Sequence, residues 1–166
     1  MSSGDIFSET QAILARAITP DTDPALAEAM KQILAAAQVS RWQRYDEYAL
    51  SLVPATDADM KQLRDKFRAC QNIPACSLGW YDLLQATFQI LEERWPDREW
   101  QTTDIKEKFG GLRIYWAGDY PYAEDVFLDA AELLSEHICE ECGAPGESRA
   151  GGWIRTLCDQ HAEQKR

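Results

Sequence analysis

Three cysteines and a histidine near the carboxy terminus are the residues whose types and spacing make a metal-ligand set. Cys139 and Cys142 are two residues apart, as are Cys158 and His161, and fifteen residues separate the pairs. Tetrahedral zinc takes thiolates and imidazoles in short-spaced pairs, because one backbone turn then presents two ligands to the same ion. Gly143, directly after the first pair, supplies the freedom for positive φ that such a turn requires. The pattern predicts one structural Zn2+ per chain, held by Cys139, Cys142, Cys158 and His161. Four protein ligands leave no open position for water or substrate, so a site of this kind shapes a surface and carries no reaction. His137, two residues before Cys139, is the poorer choice for the fourth position.

Other chemistry has little to draw on. The chain has two histidines, and a metal-dependent nuclease on a zinc finger needs further ligands for a second, open ion. No G-x-S-x-G or H-E-x-x-H is present. The carboxylate pairs Asp57/Asp59, Glu92/Glu93 and Glu140/Glu141 have no neighbouring partner of the kind acid–base catalysis uses. The expectation is a protein that is not an enzyme.

The 166 residues carry a formal charge of −11, which disfavours non-specific attachment to nucleic acid or anionic membrane and suits a partner with a basic face. No apolar run is long enough to cross a bilayer and no secretion signal opens the chain, so a cytoplasmic protein is expected. Of five cysteines, Cys70 and Cys76 remain after the ligands, and a reducing compartment keeps such thiols free.

The first hundred residues must supply the body that carries this site. Ile6, Ile13, Leu14 and Ala17 recur at helical spacing up to Pro20. Asp23 before Pro24 is an N-cap followed by proline at the first helical position, opening a helix lined by Leu26, Met30, Ile33, Leu34 and Ala37. The same period continues through Trp42, Tyr45, Tyr48 and Leu52 and predicts helix up to Pro54. Thr56 with Asp59 forms a capping box for a third helix to about Cys70. Ser77 caps a fourth from Leu78 to Trp95, with Trp80, Leu83, Leu84, Thr87, Phe88 and Leu91 inward.

At Trp100 the period changes to that of strands. Gly110-Gly111 predicts a two-residue hairpin turn, with Phe109 opposite Leu112, Glu107 opposite Ile114 and Ile105 opposite Trp116 on an apolar face. The opposite face carries Lys106, Lys108, Arg113 and Tyr115. From Ala117 to Glu136 an amphipathic helix is expected, with Asp125, Asp129, Glu132 and Glu136 in one acidic stripe. Like charges at helical spacing cost a few tenths of a kcal/mol per pair, roughly, so the stripe is either plain solvated surface or a docking face for a basic partner. Glycines 146, 151 and 152 punctuate a short hairpin between the ligand pairs, and the second pair begins a final short helix.

This describes an α+β, predominantly helical protein. Residues 1–96 form a helical body, 97–138 a hairpin and acidic helix packed on it, and 139–166 a treble-clef or zinc-ribbon-like finger. The run from Lys106 to Arg113, KEKFGGLR, followed by CxxCG, Gly152-Trp153 and Thr156-Leu157-Cys158-x-x-His161, resembles a group of small, mostly uncharacterised proteins of phage and prophage genomes. The resemblance covers roughly residues 77–161 and implies a zinc-stabilised α+β domain of phage origin, without an activity to assign to any residue. The leading functional expectation is an acidic protein-interaction module that inhibits a host defence or regulatory complex, with a nucleic-acid-binding complex as one such target. The alternative is a nucleic-acid-binding zinc-finger regulator using Lys106, Lys108, Arg113, Tyr115, Arg149, Trp153 and Arg155; the overall charge weighs against it.

Overall fold

The computed structural model describes residues 3–97, 99–119 and 125–164. In chain order the elements are α1 (Ser3–Ala17), α2 (Pro24–Gln43), β1 (Tyr45–Asp46), β2 (Ser51–Leu52), α3 (Asp57–Lys66), a 3-10 turn (Leu78–Trp80), α4 (Tyr81–Arg94), β3 (Trp100–Lys108), β4 (Gly111–Gly118), α5 (Asp125–Ser135), β5 (Glu147–Arg149), β6 (Arg155–Leu157) and α6 (Asp159–Glu163). Among the described residues the strands pair as three antiparallel hairpins, β1–β2, β3–β4 and β5–β6, so the class is α+β with helix predominating. No helix among the described residues is long and apolar enough to cross a membrane.

Local chemistry explains where the helices start. Asp23 accepts hydrogen bonds from the backbone N–H of Ala25 and Leu26, filling two of the donors a helix leaves unpaired at its first turn. The Thr56 hydroxyl accepts from Asp59 N–H at 3.2 Å while the Asp59 carboxylate accepts from Thr56 N–H at 2.8 Å. The box therefore closes with Asp in place of the usual Glu. Helix α2 packs on α1, α4 and α5, and Met30, Ile33, Trp80, Leu84, Phe88, Ile105, Leu112 and Leu134 are among the side chains buried between these elements. Phe88 stacks between Phe67 and Trp100.

Helix α2 stops at Gln43, well before the expected Pro54. The Asp46 carboxylate accepts from the N–H groups of Tyr48 and Ala49, giving the backbone an alternative to the helical ladder. Leu50 then takes a positive φ of 52°, and β1 and β2 close a small hairpin through Val53 N–H to Arg44 C=O. Tyr48, placed inward by the helical period, is fully exposed. Helix α3 likewise ends at Lys66, earlier than Cys70.

The central hairpin forms with its turn one residue earlier than Gly110-Gly111. Lys108 pairs with Gly111, Glu107 with Leu112 and Ile105 with Ile114. The turn residues are Phe109 and Gly110, at φ 54° and 76°, the paired positive φ of a type I′ turn. Moving the turn by one residue shifts each cross-strand pair by two, so the faces survive: Ile105, Leu112 and Ile114 are buried. Phe109 leaves the apolar face for the exposed tip, and a bulge at Thr103 gives Trp116 to Thr102. The outer edge of β3 is covered by Ala75, whose N–H donates to Ile105 C=O and whose C=O accepts from Glu107 N–H.

Substitutions at this tip have opposite expected signs. Gly110→Val places a β-branched residue at positive φ with its Cβ 3.2 Å from the Arg155 backbone, and its urea midpoint should fall below that of the wild type. Phe109 is 72 % exposed and an L-residue in the left-handed region costs about 1–2 kcal/mol. Phe109→Asn, with a residue that tolerates this conformation, should therefore raise the midpoint. Identical midpoints for the three proteins would place the turn elsewhere.

Candidate metal centre

The knuckle is built by backbone geometry before any ion is considered. Cys139 C=O accepts from Gly143 N–H at 2.8 Å, and Cys139 N–H donates to Ala144 C=O at 2.7 Å, folding the Cys139–Cys142 segment into a tight loop. Gly143 sits at φ 80°, where a side chain would be strained. Across the β5–β6 hairpin, Cys158 is the N-cap of α6 and His161 lies within its first turn. The finger thus runs knuckle, hairpin, helix.

The four side chains meet. Their ligand atoms all lie within 4.8 Å of one another: Cys139 Sγ is 3.5 Å and Cys158 Sγ 3.2 Å from His161 Nδ1, and Cys142 Sγ is 3.9 Å from Cys158 Sγ. A tetrahedron with metal–sulfur bonds of about 2.3 Å and metal–nitrogen bonds of about 2.0–2.1 Å has S···S edges near ~3.8 Å and S···N edges near ~3.6 Å. The arrangement suits one metal ion. Hydrogen bonds from the Cys142 thiol and from the backbone N–H groups of Cys158, Cys142 and Glu141 hold the Cys139 thiol well below its ordinary range, while the same thiol–thiol contact pushes Cys142 up. His137 stands outside this group; burial lowers its pKa, and its C=O accepts from Gly146 N–H.

The finger is clamped to the body at the start of α4. Gly79 N–H donates to Glu140 C=O at 2.8 Å, and the fully buried Trp80 donates its Nε1–H to Ile138 C=O at 2.9 Å. A Cβ at Gly79 would lie 2.3 Å from the Cys139 carbonyl oxygen, so only glycine permits this approach. Arg41, 5 % exposed, forms an ion pair with Glu9 at 2.8 Å and reaches Gly143 C=O at 3.4 Å. A second clamp joins the finger to the central hairpin, where the Thr156 hydroxyl donates to Gly110 C=O at 2.6 Å. None of Gly79, Trp80 or Thr156 stands out as a site residue in the sequence. The one signal is a glycine inside the helix-patterned run Ser77–Trp80.

The candidate basic face is largely neutralised from within. Lys106 is paired with Asp104, Arg149 with Glu147 and Asp159, and Arg155 with Glu140 and Glu141. Arg113 donates to the Leu112 carbonyl. Lys108 lies over the Phe109 ring, and Tyr115 takes the Lys106 ammonium on its face. Trp153 is 72 % exposed.

The acidic stripe is shorter than the period predicts. Ala117 and Gly118 belong to β4, and the helix is described from Asp125, whose side chain lies outside the described residues, as do residues 120–124. Asp129 and Glu136 are exposed. Glu132 is turned inward: its carboxylate accepts from Ile114 N–H at 2.9 Å, capping an unpaired donor on β4, and burial pushes its pKa up. Leu133 is 39 % exposed. Both spare thiols are free, and burial pushes Cys70 up to about 11 and Cys76 to about 12, which keeps them protonated and unreactive.

No family model, curated protein or solved structure matches this chain.

Proposed function

We propose that the bound ion is Zn2+ and that the chain is a non-catalytic, zinc-stabilised acidic module that binds a protein through a basic surface on that partner. Three sulfurs and one imidazole at tetrahedral spacing favour zinc over the harder divalent cations. With four protein ligands the ion has no position for a substrate, which supports a structural part for the metal. The observation that carries the interaction reading is the internal neutralisation of Lys106, Arg149 and Arg155. With these three cations spent on the chain's own carboxylates, in a chain of charge −11, the surface favours basic proteins over phosphate strands. The motif resemblance to phage and prophage proteins supports a cytoplasmic target in a bacterial host, a defence or regulatory complex that itself handles nucleic acid.

The test is capture from bacterial lysate by the zinc-loaded chain, compared with Asp129→Lys/Glu136→Lys. Both side chains are exposed, so folding should be spared. Capture of a basic protein should fall in the variant at low salt, and the difference should narrow as salt screens the charges. Equal capture by both proteins would remove the stripe from the interface. Tight oligonucleotide binding that weakens steeply with salt would replace this reading with the nucleic-acid one.

A further inference from the structure

Outside the metal centre, one cleft combines features that neither the core nor the ion requires. It opens between the tip of the β3–β4 hairpin and the loop joining β5 to β6, with a volume of about 500 Å3, and its walls include Phe109, Trp153, Ile154 and Glu107. Phe109 and Trp153 are each 72 % exposed, and Phe109 is held at a positive φ of 54°. A turn that favours glycine or asparagine thus carries a large exposed aromatic at a conformational cost. Gly152, at the other wall, would let an added Cβ meet nothing within 4 Å, so the mouth is open.

The cleft also carries the Lys108 ammonium and the adjoining hollow the Arg155 guanidinium, but the carboxylates beside them keep oxygens to offer. One Glu107 oxygen accepts from Gly110 N–H at 2.7 Å, and the other has no partner among the described residues. Glu140, 3 % exposed, lines the adjoining hollow together with Glu107 and Trp153; one of its oxygens takes Arg155, and the other is buried without a hydrogen-bond partner. Aromatic faces beside unmatched carboxylate oxygens are the chemistry that receives a planar cation, stacked on a ring and hydrogen-bonded at its edge. Lys108, whose ammonium lies 5.6 Å from the Phe109 ring centre, occupies that ring and leaves Trp153 to the incoming group.

We propose that this cleft binds an arginine side chain of the basic partner protein, its guanidinium stacked on Trp153 and bonded by Glu107. The inference rests on the protein-interaction reading above and gives it an anchoring site. Lys108 repels such a guest and would attract a phosphate strand, so its removal has opposite consequences for the two occupants.

The experiment titrates the zinc-loaded full chain with a twelve-residue Arg-Gly-Ser repeat peptide, using its citrulline counterpart as the neutral control. The arginine peptide should bind and the citrulline peptide should not. Trp153→Ala should weaken binding by about tenfold, the scale of a desolvated cation–π contact. Glu107→Gln, which keeps an oxygen for Gly110 N–H, should also weaken it, and Lys108→Ala should tighten it. Equal affinity of wild type and Trp153→Ala, or citrulline binding as well as arginine, overturns the proposal. So does Trp153-dependent binding of a (dT)12 oligonucleotide that Lys108→Ala weakens, which would give the cleft to nucleobases. Concentration-dependent dimerisation abolished by Trp153→Ala also overturns it by assigning the cleft to a second copy. The lysate comparison is independent: loss of capture in the stripe variant alongside unchanged peptide affinity in Trp153→Ala removes the cleft and leaves the protein-interaction reading standing.

Discussion

Cys158→Ser is expected to lose its metal and to disorder the finger from Cys139 onward while the helical body stays folded. Among the described residues, the central apolar cluster runs from Ile13 to Ile138 and takes none beyond it. The finger's own structure is two three-residue strands and a five-residue helix, far below what packs stably on its own. Zinc binding in comparable structural sites is worth on the order of 10–16 kcal/mol at neutral pH, so a zinc ion held by these four side chains would be the finger's main source of stability. Cys158 stands at a junction of the ligand set, 3.2 Å from His161 Nδ1 and 3.9 Å from Cys142 Sγ. Serine supplies no thiolate there. Elemental analysis should show zinc in purified wild type and little in the variant, and amide signals should disperse less from residue 139 onward. Far-UV circular dichroism should keep most of its helical signal. Full zinc retention by Cys158→Ser, or metal-free wild type from a fresh preparation, would falsify the assignment.

Gly79→Ala is the second large effect, and it separates docking of the finger from ligation. An added Cβ would stand 2.3 Å from the Cys139 carbonyl oxygen and 2.6 Å from the Glu140 carbonyl. Both are backbone atoms, so no side chain can rotate away. The start of α4 must then withdraw from the knuckle, weakening the Gly79 N–H to Glu140 C=O bond and the Trp80 indole bond to Ile138 C=O. Steric conflict with buried backbone and loss of paired donors together belong to the severe class of substitutions, about 3 kcal/mol or more. For a chain of this size that lowers Tm by about 6–12 °C. Zinc content should remain that of the wild type, because no ligand is touched. Gly152→Ala, where a Cβ meets nothing within 4 Å, serves as the control with Tm unchanged. An unaltered Tm for Gly79→Ala would show that the knuckle is not packed against α4 as described.

Features that depend on a few neighbouring residues were legible in the chain alone. The ligand spacing of Cys139, Cys142, Cys158 and His161, the Asp23 cap, the Thr56–Asp59 box and the two faces of the β3–β4 hairpin follow from local turns and from periods of 2 and 3.6 residues. These hold wherever the segment lies in the fold. Even the misplaced turn preserved the faces, because moving it by one residue changes each pairing sum by two and keeps the alternation of sides.

What tertiary structure decided were the competitions between distant groups. Periodicity counted Glu132 with the exposed acids, yet an unpaired N–H on β4 drew it inward. It extended α2 through Tyr48, where no part of the core lies near enough to bury that ring. The cations of the finger looked like a basic face until Glu140, Glu141 and Asp159 met them in space. Gly79 shows the same limit, since the demand for glycine comes from the Cys139 and Glu140 carbonyls, which lie far along the chain. Propensity and spacing act over a few bonds, whereas the sign of a surface and the closeness of two backbones are set only when remote segments share one volume.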